Sequence, residues 1–221
     1  MERNILTKCL FVLVVILIVR IDVANAAFVM PEEYVSSNRS KFLYFAYGSN
    51  MWTKRIHMRN PSAVRKGSAQ LKGYRLDFYQ PVGEPSPVWN GSRATVVEDE
   101  NYTVWGAVYE IDLKHLPSLD AQEGVNSKRY VPITKEIVTS DEEVLTCRSY
   151  QLTEQPTNAV NLSDPTIPLE RKPSKTYIDV IMLGAEENQL PEEYLGFLKR
   201  IVHNGRLASA KLLEELFGKN Q

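Results

Sequence analysis

Seven short runs rich in Val, Ile, Tyr and Thr are spread over residues 42–183, and the helical spacings between them are few and short. The runs are Phe42–Tyr47, Tyr74–Phe78, Ala94–Val97, Val104–Ile111, Val131–Val138, Leu145–Leu152 and Tyr177–Leu183. Several alternate apolar with polar residues, the two-residue period of a strand with one buried face. A doubly wound parallel sheet needs a long amphipathic helix between successive strands, so the pattern argues against one. It predicts a mixed α/β fold around a barrel or a strongly curved sheet.

Four stretches carry helical signals. Thr53–Met58 follows a glycine turn, and Leu113–Gln122 has Asp112 as a candidate N-cap with Leu116 and Leu119 on one face. Pro191–Val202 opens with Pro191, Glu192 and Glu193 before Leu195, Leu198, Ile201 and Val202. Leu207–Phe217 is amphipathic, with Leu212, Leu213, Leu216 and Phe217 as its apolar side. Gln80–Ser92 and Gln155–Ser174 are proline-rich loops, and the length of the second predicts a lid or a solvated excursion.

The N-terminus reads as a sorting signal: a polar lead-in, an apolar run from Cys9 to Val19, then Ala24-Asn25-Ala26 as a small-residue cleavage site. That run is well short of the ~20 residues that cross a bilayer. The expectation is a signal peptide over residues 1–26, a domain over 27–221 and a secreted product with no membrane contact after cleavage; an uncleaved anchor is the alternative. Cleavage removes Arg3, Lys8, Arg20, Glu2 and Asp22 from totals of 26 basic and 27 acidic side chains, which leaves a net charge of −2. With no basic stripe interleaved with aromatics, nothing points to nucleic acid. Of the two cysteines, Cys9 leaves with the signal, so Cys147 has no disulfide partner and reads as a buried thiol. Asn38, Asn90, Asn101 and Asn161 each open an Asn-x-Ser/Thr sequon and are candidate glycosylation sites.

Two stretches carry the chemistry. Tyr44-Phe-Ala-Tyr-Gly-Ser-Asn-Met51 is a strand running into a Gly-Ser-Asn turn whose backbone N–H groups can face an anion or a developing oxyanion. Taken alone it also fits an ordinary strand-to-helix turn capped by Ser49 or Asn50. In Ser118-Leu-Asp-Ala-Gln-Glu-Gly-Val125, Glu123 sits at an element end, with Leu119 and Val125 able to desolvate it. The alternative is a surface glutamate at a helix terminus. His57, His115 and His203 lack metal or triad spacing, and no phosphate-loop or dinucleotide fingerprint occurs.

These residues resemble the γ-glutamylcyclotransferase family. The resemblance is carried by Tyr-Phe-Ala-Tyr-Gly-Ser-Asn at 44–50, Arg-Ile-His-x-Arg-Asn-Pro at 55–61 and Leu-Asp-Phe at 76–78. Trp-x-Gly-x-x-Ala-Thr at 89–95, Val-Trp-Gly at 104–106 and Leu-Asp-x-Gln-Glu-Gly-Val at 119–125 follow in order. Cys-Arg-Ser-Tyr at 147–150 and Met-Leu-Gly-Ala-Glu-Glu-Asn at 182–188 complete the series. The resemblance implies a six-stranded barrel with surrounding helices and release of 5-oxoproline from a small γ-glutamyl substrate without a cofactor. It implies Glu123 as the catalytic residue and a substrate loop of Tyr44, Phe45, Ala46, Tyr47, Gly48 and Ser49. It also brings Tyr150 and Tyr177 near the pocket, and a homodimer rests on it alone. Branches acting on glutathione or γ-glutamyl-lysine carry different residues after Tyr-Gly, so Ser49-Asn50 favours γ-glutamyl amino acids. A secreted γ-glutamyl-binding protein with little turnover is the reading from another class.

The chemistry sets a condition on Glu123. A glutamate near ~4.3 and an α-amine near ~7.8 differ by ~3.5 units, about 5 kcal/mol uphill for proton transfer. The glutamate is therefore expected to be recessed, with a raised pKa.

Overall fold

A computed structural model describes residues 40–81 and 86–218. The expected leader at 1–26 and the sequon at Asn38 lie outside the described residues. Strands β1 (Lys41–Ala46), β2 (Val64–Tyr79), β3 (Arg93–Asp112), β4 (Tyr130–Thr139) and β5 (Val144–Leu152) close a barrel in the order β1-β3-β2-β4-β5. β1 lies antiparallel to β3 from Lys41↔Asp112 to Ala46↔Ala107, and closure is made by parallel pairing of β1 with β5 at Tyr44↔Arg148.

The described residues thus give five strands against the six that the resemblance implies. Ala94–Val97 and Val104–Ile111, expected as separate strands, are the two ends of the single 20-residue β3. β2 extends upstream of the expected Tyr74–Phe78 because its first half, though polar, still buries Ala69 and Leu71 on one face. Its register against β3 shifts between Arg65 and Gly67 and again between Lys72 and Tyr74, so that the ribbon can bend round the barrel.

Tyr177–Leu183 is a correction: it is helical, not a strand. It lies within α3 (Lys175–Glu187), whose N-cap Ser174 accepts a hydrogen bond from Tyr177 N. Ile178, Val180 and Ile181 are all buried. Each such burial contributes about 1.5–3 kcal/mol, which outweighs a helix-propensity penalty of under ~0.7 kcal/mol per β-branched residue. The other helices are α1 (Thr53–His57), α2 (Leu116–Glu123), α4 (Glu192–Lys199) and α5 (Ala210–Phe217), close to their expected places. A 3-10 turn, Leu113–His115, precedes α2, and Asp112 makes no capping bond with its side chain. Leu212 and Leu216 bury α5, whereas Phe217 is half exposed and stacks on Trp52 with ring centres 5.9 Å apart.

The loop at 155–174 is neither lid nor solvated excursion. Leu162, Ile167 and Arg171 are buried, and Arg171 pairs with the buried Asp77 of β2 while donating to Phe78 O at 2.9 Å. Backbone bonds from Gln80 N to Glu170 O (2.9 Å) and from Ser92 N to Lys172 O (3.1 Å) fasten it further. This loop delivers Ser174, and with it α3, to the barrel.

Candidate active site

The end of β1 passes through Tyr47 and Gly48 into a 3-10 turn, Ser49–Met51. The first amides of such a turn, here those of Ser49 and Asn50, have no acceptor within it. Helix α3 holds the turn in place from behind. A Cβ on Gly184 would lie 2.6 Å from Trp52 N and 2.7 Å from Met51 C, so only glycine permits this approach. Asn188, one turn further along, donates from Nδ2 to Met51 O at 2.8 Å.

Glu123 comes from the opposite side, as the last residue of α2. Gly124 follows with φ +71° and donates to Ala121 O, while Val125 N donates to Asp120 O, a left-handed helix stop that turns Glu123 toward the barrel mouth. Asn50 joins the two halves. Its Nδ2 donates to Glu123 Oε1 at 2.9 Å and to Tyr44 Oη at 3.1 Å, and its Oδ1 accepts from Gln122 Nε2 at 2.7 Å. Asn50 is therefore a buried hub and caps nothing with its side chain.

Between these elements lies a pocket of ≈ 320 Å³ of empty space, walled by Tyr44, Tyr47, Tyr130, Tyr150 and Tyr177 with Gly48–Asn50, Ala94 and Glu123. Its hydroxyls are tied down. Tyr47 Oη donates to Tyr150 O, Tyr130 Oη donates to Ala94 O at 2.7 Å, and Tyr177 Oη accepts from Ala94 N at 3.3 Å. Trp89 packs on Tyr177 at 4.6 Å between ring centres. Burial raises the pKa of Tyr44, Tyr47, Tyr130, Tyr150 and Tyr177, with the Glu123 charge adding to it at Tyr44 and Tyr47. These phenols stay neutral and act as hydrogen-bonding walls.

Among the residues lining this pocket, Glu123 is the carboxylic acid. Burial pushes its carboxyl up to about 7, opposed by Arg55, by the Asn50 hydrogen bond, and by Arg129 and Arg93. Leu119 beneath it is fully buried and Val125 half-buried. Among the described residues no group of three or more His, Cys, Asp or Glu side chains is placed to hold a metal ion.

Of the residues expected at the site, Tyr44, Tyr47, Gly48, Ser49, Glu123, Tyr150 and Tyr177 line one pocket. Phe45 and Ala46 do not; they are buried against Gly106, where a Cβ would come within 2.8 Å of the Phe45 ring and 2.3 Å of Ala46 O. Cys147 is buried, and desolvation pushes its thiol up to about 12. Among the sequons, Asn101 and Asn161 are exposed. Asn90 donates to Leu207 O at 2.8 Å and its Ser92 is buried, an arrangement that does not present the sequon.

Sequence reasoning missed Asn50 as a contact to Glu123, and it missed Tyr130 as a pocket wall. It also missed the brace formed by Arg148, whose Nη2 donates to Asp120 Oδ1 at 2.7 Å and whose Nε donates to Tyr150 Oη at 2.9 Å. Asp120 lies three residues before Glu123 on α2, so this buried guanidinium fixes the helix that carries the carboxylate to β5. An arginine inside a strand-like run, in Thr146-Cys147-Arg148-Ser149-Tyr150, was the available signal.

The chain is similar to known proteins over most of its length. Residues 103–198 match the AIG2-like family. A bovine protein named γ-glutamylcyclotransferase is 44% identical over 173 residues, which is 78% of this chain and 85% of that one. A human protein of the same name is 40% identical over 185 residues, covering 84% and 90%. A solved structure titled γ-glutamyl cyclotransferase superposes with a TM-score of 0.69 at 38% identity, over 80% of this chain and 98% of its own.

Proposed function

The chain belongs to the γ-glutamylcyclotransferase family, and from that premise we propose that it converts γ-glutamyl amino acids into 5-oxoproline and the free amino acid, with Glu123 as general base. The observation that carries the assignment of Glu123 is its position: a recessed carboxyl raised to about 7, facing the Gly48–Asn50 turn across a neutral, tyrosine-lined pocket.

The reaction needs little else. The substrate's own α-amine attacks its γ-carbonyl carbon, closing a five-membered ring, so the nucleophile is already tethered and the pocket has only to fold the chain and manage charge. Backbone amides of the Gly48–Asn50 turn hold the oxygen as it becomes an oxyanion. Glu123 takes a proton from the α-ammonium, and once the new C–N bond has formed a second proton passes from that nitrogen to the departing one. When the old C–N bond breaks, the departing nitrogen takes up two protons, one of them returned by Glu123, and leaves as an ammonium. With the carboxyl at about 7, the gap to an α-amine near ~7.8 shrinks to about 1 kcal/mol.

The test is 5-oxoproline release from γ-glutamyl-alanine, glutathione and γ-glutamyl-lysine, with Glu123→Gln alongside. Release from the first, reduced ~10²–10⁴-fold in a variant that stays folded, is the expected result. No release by the folded protein from any of the three would replace the enzyme with a γ-glutamyl-binding protein.

Residues 1–26 are proposed to direct secretion of the domain at 27–221, and Asn101 and Asn161 to carry glycans. N-terminal sequencing of protein exported by a eukaryotic cell line checks the cleavage after Ala26, and a glycosidase mobility shift checks the glycans. A homodimer follows only from the family resemblance and is checked by sedimentation.

A further inference from the structure

Among the described residues, the tyrosine-lined pocket contains one carboxylate and no cationic side chain. It opens past Ser49, Glu123, Tyr130 and Tyr177 into a larger chamber, ≈ 1190 Å³ of empty space, with the opposite character. Arg55, Arg59, Arg93 and Arg129 all line that chamber, and among the described residues Glu123 is its one acidic side chain.

Arg55 and Arg93 are half-buried in the wall, and Arg59 and Arg129 are exposed to solvent. Arg55 on α1 stacks its guanidinium 5.8 Å from the Trp89 ring, and its buried Nε has no hydrogen-bond partner. Arg129 is anchored by its backbone, donating to Gly124 O at 3.0 Å and accepting from Thr153 N at 3.0 Å. Its Nη1 lies 3.1 Å from where a Cβ on Gly124 would stand, so the guanidinium is folded over the turn that follows Glu123. Among the described residues, Arg55, Arg59 and Arg129 form no ion pair with a carboxylate.

Like charges crowded in one concavity repel, and the arrangement is offset when a ligand brings negative charge. A γ-glutamyl dipeptide with its γ-carbonyl at Gly48–Ser49 and its amine at Glu123 directs its leaving residue into this chamber. A neutral leaving amino acid brings a single α-carboxylate, fewer charges than Arg55, Arg59 and Arg129 can accept. We propose that the chamber is the subsite for the leaving amino acid and selects leaving groups with an acidic side chain, as in γ-glutamyl-glutamate and γ-glutamyl-aspartate. The orientation rests on the cyclotransferase reading above; the charge surplus does not.

The test compares γ-glutamyl-glutamate with γ-glutamyl-glutamine, which has nearly the same shape and one charge fewer. Equilibrium binding of both to the Glu123→Gln protein at low salt needs no turnover. About tenfold tighter binding of the acidic dipeptide is expected, the size of one charge-assisted hydrogen bond in a partly wet site. Adding Arg59→Gln and Arg129→Gln should bring the ratio within about twofold, and each ratio is read within one protein, so a general loss of affinity cancels. The same preference should appear in kcat/KM of the wild-type protein and weaken with added salt. Equal affinities, or a preference that survives removal of both arginines, would overturn the subsite. Selective binding without turnover of any γ-glutamyl substrate would keep the subsite and overturn the enzyme.

Discussion

A carboxyl held at about 7 is half ionised near neutral pH, so kcat/KM should rise with pH and level off above about 7, where Glu123 is ionised. Asn50 sets part of that value, because its Nδ2–H···Oε1 bond favours the carboxylate. Asn50→Ala should therefore move the acid limb of the pH–rate profile to higher pH, whereas a variant that only loosened the fold would lower the plateau and leave the limb in place. The same desolvation has a stability consequence of definite sign. Glu123's folded value lies above its ordinary value of 4.5, so its contribution to stability is fully present below about 4.5 and lost as pH rises through about 7. Glu123→Gln removes the titration. Its Tm should match the wild-type value near pH 4.5 and exceed it by several degrees at pH 8, read by thermal unfolding at both.

Among the elements, α3 decides where the Gly48–Asn50 turn sits. The Gly184 contact with Met51 and Trp52 leaves no room for a methyl group, and the atoms it would meet are mostly backbone. Gly184→Ala should cost about 1–3 kcal/mol as an overpacked contact, read as a lowered denaturation midpoint, and should raise KM because the Gly48–Asn50 turn is displaced. This helix is also where the strand reading failed. Tyr177, Val180, Ile181, Gly184, Ala185 and Asn188 recur at three- and four-residue spacing behind Ser174, a helical signature that was present but masked by β-branched composition. Helix α2 was legible through Leu116 and Leu119, and Glu123 through the glycine that ends it. The partners that set Glu123's chemistry were not legible, because Asn50 and Arg55 lie about seventy residues upstream.

Across the whole molecule, the long proline-rich loop is held by its backbone bonds, by buried Leu162 and Ile167, and by a buried ion pair, Arg171 with Asp77. Arg171→Met would leave the Asp77 carboxylate buried beside Arg75 alone. The expected cost is about 3–5 kcal/mol, a Tm drop of roughly 10 °C in a domain of this size, largely insensitive to salt because the pair is shielded from solvent. Replacing both Asp77 and Arg171 with apolar residues of similar volume should recover much of that loss. The barrel brings β1, α2, β5 and the start of α3 to one mouth, and that mouth is where the tyrosines, the Gly-Ser-Asn turn and Glu123 meet.

The sequence by itself determined the short-strand pattern, the ordered motifs of the family and the glutamate proposed as base, since each is written in local spacing or contiguous residues. Only the tertiary structure decided that the region from 177 to 183 is helical and that the loop at 155–174 is packed. It likewise decided that Asn50 joins the turn to Glu123 and that four arginines share a chamber outside it. Local sequence reports the period and chemistry of a segment, whereas burial, pairing and pKa depend on which distant segments meet it. In a barrel closed by non-consecutive strands, those meetings are set by topology.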